Sequence, residues 1–275
     1  MEMHQGIILG ILQGLTEFLP VSSSGHLVMG QIFFGITESQ LVFDISLHMG
    51  TLLAIIVVYF SDIVSILASV FGFFSKGVSG KPVKHLLSED QHLKMAILII
   101  MGSIPTAIIG LFLKQFEAVL FSSATLVGMM LMLTGVILWV SRKYYTAQST
   151  TEGFSIKKAV FIGTVQGLAV MPGISRSGST ISAGMVAGLD RHTAARFSFL
   201  LSVPAVVGAE ILSLKDVIES GLSIDLVTIY ATIAAFITGL IALKILLRLV
   251  HAGRFHLFAP YCWFAGFLVL LSTFI

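Results

Sequence analysis

Six apolar stretches, each long enough to cross a bilayer, decide what this chain can become. They fall at residues 44–74, 93–113, 120–140, 193–214, 226–249 and 256–275. A spanning helix needs about 20 mostly apolar residues, and in hydrocarbon the backbone must satisfy its own hydrogen bonds. The first stretch is long for one span and is expected to include an interfacial end. Of the 275 residues, 56% are hydrophobic and 11% are charged. A soluble domain carries about 25% charged residues. An all-α polytopic membrane protein is therefore expected. The net charge of +2 argues neither for nor against nucleic acid, and no nucleic-acid partner is expected.

Two more apolar regions, 6–34 and 158–189, do not qualify as spans. Each is broken in the middle by Pro, Gly and Ser, and each piece is only about half a span long. Broken helices at membrane depth are tolerated where they are buried in protein or line a wet cavity. Both regions read as re-entrant helical hairpins with the Ser/Gly turns at their tips. The first carries Gln13-Gly-Leu-Thr-Glu-Phe-Leu-Pro-Val-Ser-Ser-Ser-Gly-His26. The second carries Gln166-Gly-Leu-Ala-Val-Met-Pro-Gly-Ile-Ser-Arg-Ser-Gly-Ser179.

These regions echo each other. Gly10, Gln13, Gly14, Leu15 and Gly25 match Gly163, Gln166, Gly167, Leu168 and Gly178 at one constant offset. Later, the run at 104–111 resembles 233–240, and 135–138 resembles 266–269. The chain reads as one membrane domain of two repeats, 1–145 and 155–275, each a hairpin plus three spans. Three spans is an odd number, so the second repeat is expected to insert upside down. Charge agrees. Thirteen of the 16 basic residues flank connections on one side, among them Lys76, Lys81, Lys84, Arg142, Lys143, Lys244 and Arg248. The positive-inside rule makes that side cytoplasmic. Both termini then face outward, and the hairpin tips enter from opposite sides and meet near the midplane. Inverted repeats with broken helices around a central polar site also occur in transporters.

The tips carry the chemistry. Gln13 and Glu17 are four apart and share a helix face. A carboxylate at membrane depth costs about 2.5–3.5 kcal/mol or more and needs a partner or water, so Glu17 is either a functional group or a tie between the hairpins. Pro20 ends the first helix. Ser22, Ser23, Ser24 and Gly25 open the second, where serines serve as N-caps and free backbone N–H groups bind anions. Ser175, Ser177 and Gly178 repeat the arrangement, and Arg176 adds a guanidinium that suits phosphate. Arg176 also reads as a partner for Glu17, a pair that opens to substrate. His26 lies within one turn of Ser23 and is a candidate acid or base. Asp44 and His48 share a face of the first span, as an interfacial pair or as support for the hairpins. Glu210 reads as snorkelling to the outer surface, and Trp139, Tyr144 and Tyr145 as interface anchors. Cys262, the single cysteine, excludes an internal disulfide and reads as a small core residue. No cleavable signal peptide is expected, because Gln13 and Glu17 interrupt the first apolar run.

At 13–26 and at Pro172-Gly-Ile-Ser-Arg-Ser-Gly-Ser-Thr180 the sequence resembles the two signature motifs of the bacterial undecaprenyl pyrophosphate phosphatases of the bacitracin-resistance type. The run Arg196-Phe-Ser-Phe-Leu-Leu-Ser-Val-Pro-Ala205 and the chain length extend the resemblance. It implies six transmembrane helices plus two re-entrant hairpins in an inverted-topology repeat, frequently as a homodimer. It implies an enzyme of the bacterial cytoplasmic membrane, with its site opening to the outer face, that hydrolyses an isoprenoid pyrophosphate lipid to the monophosphate. By position it carries the family's catalytic roles to Glu17, Ser23, His26 and Arg176. It also implies a divalent cation, Mg²⁺ or Ca²⁺, with Glu17 a possible ligand. Gln13 stands where the family admits Glu or Gln, which weakens any scheme needing two ionised carboxylates on that helix. Two rivals remain. The acid-phosphatase type of lipid phosphatase needs an Arg-Pro motif that this chain lacks. A lipid-phosphate flippase would share the architecture.

Overall fold

The computed structural model describes residues 1–36, 40–75, 90–144, 153–220 and 225–273. Among these residues there is no strand. Twelve α-helices follow in order: α1 (Met3–Phe18), α2 (Ser23–Phe33), α3 (Leu41–Val58), α4 (Phe60–Ser75), α5 (Gln91–Lys114), α6 (Glu117–Ser122), α7 (Ala124–Ser141), α8 (Ile156–Leu168), α9 (Arg176–Val186), α10 (Arg191–Ser220), α11 (Leu226–His251) and α12 (Ala259–Ser272). Six segments are long and apolar enough to cross a membrane: α3, α5, α7, α10, α11, and α12 with the short 3-10 turn before it. Phe33, Phe71, Ile108 and Val119 point outward from the fold. Such a belt suits hydrocarbon and would aggregate in water. The chain is a multi-pass membrane protein.

The helices start where the sequence offers caps. Asp90 accepts hydrogen bonds from the N–H groups of His92 and Leu93, Ser123 from Leu126, and Asp225 from Thr228. Side-chain and backbone hydrogen bonds from Thr228 hold the Asp225 carboxyl below its ordinary value. This cap is complete at neutral pH and weakens as acid protonates the carboxylate.

Glycines set how closely the helices approach. A Cβ on Gly10 of α1 would strike the Ala231 backbone of α11. A Cβ on Gly163 of α8 would strike the Gly102 backbone of α5. The two positions are equivalent in the sequence echo, and each seats a short helix against a long one. The other pairings follow the same exchange: α3 packs on α11, α10 on α5, and α7 on α12. Around this frame, Phe18, Ile55, Ile162, Phe197, Leu201 and Leu243 fill one core.

The structure adds detail to these expectations. The stretch 44–74 holds a spanning helix, α3, that ends at Val58, and a second, shorter apolar helix, α4, that begins at Phe60. Asp62 in the first turn of α4 pairs with Arg196 of α10, which anchors the new helix start at a polar contact. The fourth span agrees with the apolar part of α10, Arg191–Ser213, and the helix itself runs on through Ser220 past Lys215, Asp216 and Glu219. Lys76, Lys81, Lys84 and Tyr145 lie outside the described residues. Trp139 is covered by the Arg142 guanidinium, 3.8 Å from the ring centre. Cys262 is buried, as its small size suggests, and its Sγ donates to the Pro20 carbonyl at 3.2 Å.

Candidate active site

Two breaks in the helical chain meet. The first lies between α1 and α2 at residues 19–22, the second between α8 and α9 at residues 169–175. No broken piece exceeds 16 residues. The breaks are tied by backbone. Gly173 N–H donates to Ser22 Oγ at 3.1 Å, and Ser177 Oγ donates to the Phe18 carbonyl at 2.8 Å. Thr134 of α7 braces the second break, donating to the Gly173 carbonyl at 2.9 Å and accepting from Ser175 N–H at 3.1 Å. Gly173 has φ +92°, and a Cβ there would press on the Val127 carbonyl. Only glycine lets the second break pass this close to α7.

Glu17 is the hub. Its Oε1 pairs with Arg176 across the joint. Its Oε2 accepts from Ser23 Oγ at 2.6 Å and from Gln13 Nε2 at 3.1 Å. The Glu17 side chain is 7% exposed and that of Arg176 is 22% exposed, so the guanidinium is the part of the pair open to an incoming anion. Four of the predicted groups, Gln13, Glu17, Ser23 and Arg176, therefore form one hydrogen-bonded set contributed by both breaks.

The serines divide by role. Ser175 caps α9, accepting from Gly178 N–H at 3.1 Å, and its Oγ sits 3.3 Å from that of Ser177. Ser22 heads α2 without capping it through its side chain. Ser22 Oγ lies 3.4 Å from Ser24 Oγ. Ser23 and Ser24 are half-buried, which leaves them open to the joint. Gly25 and Gly178 lie in the first turns of α2 and α9. A Cβ on Gly178 would come 3.1 Å from Pro20, so the first turn of α9 packs closely on the first break.

His26 stands on α2 with Nδ1 at 2.8 Å from the Ser22 carbonyl and Nε2 at 2.6 Å from the Tyr261 hydroxyl. Both ring nitrogens are thus engaged away from Ser23, whose hydroxyl bonds Glu17. Asp44 accepts from Gln31 Nε2 at 2.8 Å, and His48 Nδ1 bonds the Asp44 carbonyl at 2.8 Å. His48 lies within electrostatic reach of Glu17. Glu210 of α10 is half-buried and lies within electrostatic reach of His48, Glu17 and Asp44. Sequence reading also passed over Tyr261, whose one signal is a phenol at the start of an apolar span. An apolar cavity of about 340 Å³ between α5 and α10 includes Thr106 and Val170 and contains none of the groups above.

A multi-pass membrane protein that joins two broken helix pairs around a carboxylate, a hydroxyl and a guanidinium belongs to the class of polytopic membrane proteins with a largely buried polar cluster. The family model described as bacitracin resistance protein BacA matches residues 6–268, and the chain belongs to that family. A protein of Desulforapulum autotrophicum named undecaprenyl-diphosphatase is 53% identical over the full length of both chains. A protein of Desulfosudis oleivorans with the same name is 53% identical over 97% of each chain. One of Halothermothrix orenii, again with that name, is 42% identical over 98% of each.

Proposed function

We propose that this protein is an undecaprenyl-diphosphatase: it hydrolyses undecaprenyl pyrophosphate to undecaprenyl phosphate and inorganic phosphate. The product is the lipid carrier returned to cell-wall synthesis, and the activity underlies bacitracin resistance. The observation that carries the reading is the joint itself. It combines a partly exposed guanidinium, the N-termini of two helices that start at the two breaks, and a hydroxyl already bonded to a carboxylate. The membership of the chain and the names of its relatives support the same substrate.

In this reading the lipid tail stays in the bilayer and the pyrophosphate enters the joint. The terminal phosphate takes the Arg176 guanidinium and the N–H groups of α2 and α9, which neutralise charge on the transferred group. Arg176 leaves Glu17, and the freed carboxylate accepts the Ser23 proton across their existing hydrogen bond. Ser23 Oγ forms a bond to phosphorus as the bridging P–O bond breaks, and undecaprenyl phosphate leaves with the proton handed on by Glu17. Water then attacks the phosphoserine, the again ionised Glu17 taking its proton and returning it to Ser23 Oγ as the serine O–P bond breaks and inorganic phosphate leaves. His26 supports this geometry without touching the nucleophile. If Ser23 is the nucleophile, Ser23→Ala should lose nearly all turnover. Retention of a tenth or more of the rate transfers the attack to water.

The donor set limits what a cation could do here. Among the described residues no three His, Cys, Asp or Glu side chains converge on a metal position. Glu17 offers a carboxylate, and Gln13 Oε1 is buried with no hydrogen-bond partner among the described residues. One carboxylate and one amide oxygen fit Mg²⁺ or Ca²⁺ held mainly by substrate phosphate and water. Bound there, the cation would spread the charge of the pyrophosphate. A chelator is expected to depress phosphate release, and added Mg²⁺ to restore it; a chelator-insensitive rate removes the cation from the scheme.

The fold supports re-entrant insertion of both broken pairs and an inverted repeat, since no broken piece can span and the packing partners exchange between halves. In this reading the site opens to the outer face of the bacterial cytoplasmic membrane and the chain forms a homodimer; the basic residues grouped on one side of the spans support the orientation. The deciding assay is phosphate release from undecaprenyl or farnesyl pyrophosphate by purified protein in detergent, where no gradient exists. Protein that binds the lipid but releases no phosphate overturns the hydrolase and leaves a flippase.

A further inference from the structure

His26 has both ring nitrogens engaged, and the partners dictate its protonation. Nδ1 lies 2.8 Å from the Ser22 carbonyl oxygen. A carbonyl oxygen can only accept, so Nδ1 carries a proton. In the neutral ring Nε2 is then an acceptor, and the Tyr261 hydroxyl donates to it at 2.6 Å. The rings also stack, 5.8 Å between centroids at 17°. Neither nitrogen is left to serve Ser23, whose hydroxyl is given to Glu17.

The residue that His26 grips is unusual. Ser22 has φ +68°, the one positive φ outside glycine among the described residues. An L-residue resists this left-handed conformation, so something must hold it. Two contacts do. Gly173 N–H donates to its side chain, and His26 Nδ1–H donates to its carbonyl. Ser22 is the residue from which α2 starts, so its backbone sets where Ser23 points. Tyr261 is itself well placed to act as a fixed post. It stands in the first turn of α12, beside Cys262, whose thiol is bonded to Pro20 in the same break. Close contact of Gly266 with the Gly128 carbonyl and of Gly135 with Trp263 seats α12 firmly on α7.

We propose that Tyr261 is a positioning residue of the active site: its hydroxyl fixes the His26 tautomer, His26 holds the strained Ser22 carbonyl, and Ser22 aims Ser23 at Glu17 and the substrate phosphate. The proposal deepens the phosphatase reading and rests on the joint being its active site. It makes His26 a strut, and it explains why a phenol in the last span reaches across 235 positions to the first broken pair.

The test is phosphate release from farnesyl pyrophosphate by purified full-length protein. Tyr261→Phe keeps the stacked ring and removes the hydroxyl. It is expected to lower kcat about tenfold, the size of one neutral hydrogen bond, with KM within twofold. His26→Ala should lose a similar factor. In the His26→Ala background, Tyr261→Phe should change kcat by less than twofold, because residues acting through one another are not additive. A wild-type kcat for Tyr261→Phe overturns the proposal. So does a further tenfold loss in the His26→Ala background, which would put Tyr261 on the substrate. A loss above a thousandfold in His26→Ala makes the ring a proton carrier and also overturns it. Glu17→Ala, run alongside, reports on the site itself: if that variant keeps its rate, the phosphatase site is wrong, whereas a dead Glu17→Ala beside an unaffected Tyr261→Phe sinks this inference alone.

Discussion

Glu17→Gln is expected to lower phosphate release by about 10³-fold or more while leaving the protein folded. The amide keeps the size of the side chain, and its oxygen still accepts from Ser23. It cannot take the proton that Ser23 must lose, and general-base catalysis contributes about 10²–10⁴-fold. It also leaves Arg176 without its counter-charge. Breaking a buried pair from one side costs about 3–5 kcal/mol; the Arg176 side chain is 22% exposed, so the lower end applies. A structural tie between the broken pairs predicts something different. In that case activity would follow stability, and a double variant Glu17→Gln with Arg176→Met, which removes both charges, would recover both. We expect the double variant to recover thermal stability and to remain inactive. Activity of a tenth of wild type in that protein would refute the catalytic role of the pair.

Arg176→Ala is expected to be the most damaging single change at the joint, with a loss of about 10³-fold or more, in the range seen where an arginine stabilises a transferring phosphoryl group. Arg176→Lys should recover little of it. A lysine carries the charge but not the planar fork that grips two oxygens at once. Rates with Arg176→Ala and Arg176→Lys, measured at saturating farnesyl pyrophosphate, separate the effect on chemistry from the effect on binding. If Lys restores more than a tenth of the rate, the guanidinium acts only as a point charge. An Arg176→Ala protein with kcat intact and KM raised would leave Arg176 a binding residue and no more.

Much of this site was legible because hydrocarbon punishes exceptions. A carboxylate, an arginine and runs of Ser and Gly inside apolar stretches need a reason, and the repeat pointed each group at its counterpart. The Glu17–Arg176 pair, the cap at Ser175 and the two breaks all follow from that logic. The long spans follow from length alone. Other features had no local signal. The stop at Val58 and the pairing of Asp62 with Arg196 just beyond it lie in no single window of sequence. The extension of α10 through Ser220 ran against its charged residues. The electrostatic coupling of Glu210 to His48, Glu17 and Asp44 had no such signal, because hydropathy gives depth along a helix but not which face is turned inward. Tyr261 was missed for the same reason: its meaning lies in a contact with His26 that only the packing of α12 on α7 creates.

The exchange of packing partners has a consequence for how the molecule is made. α1 emerges first but finds its seat, the Ala231 surface of α11, only when the chain is nearly finished. Glu17 meets no arginine until residue 176 has been synthesised. Between those moments the nascent chain holds an unpaired carboxylate on a helix too short to cross the bilayer. Neither half therefore holds both partners of the Glu17–Arg176 pair. The break between α1 and α2, which makes the site possible, also postpones its completion until the second half has threaded back to close it.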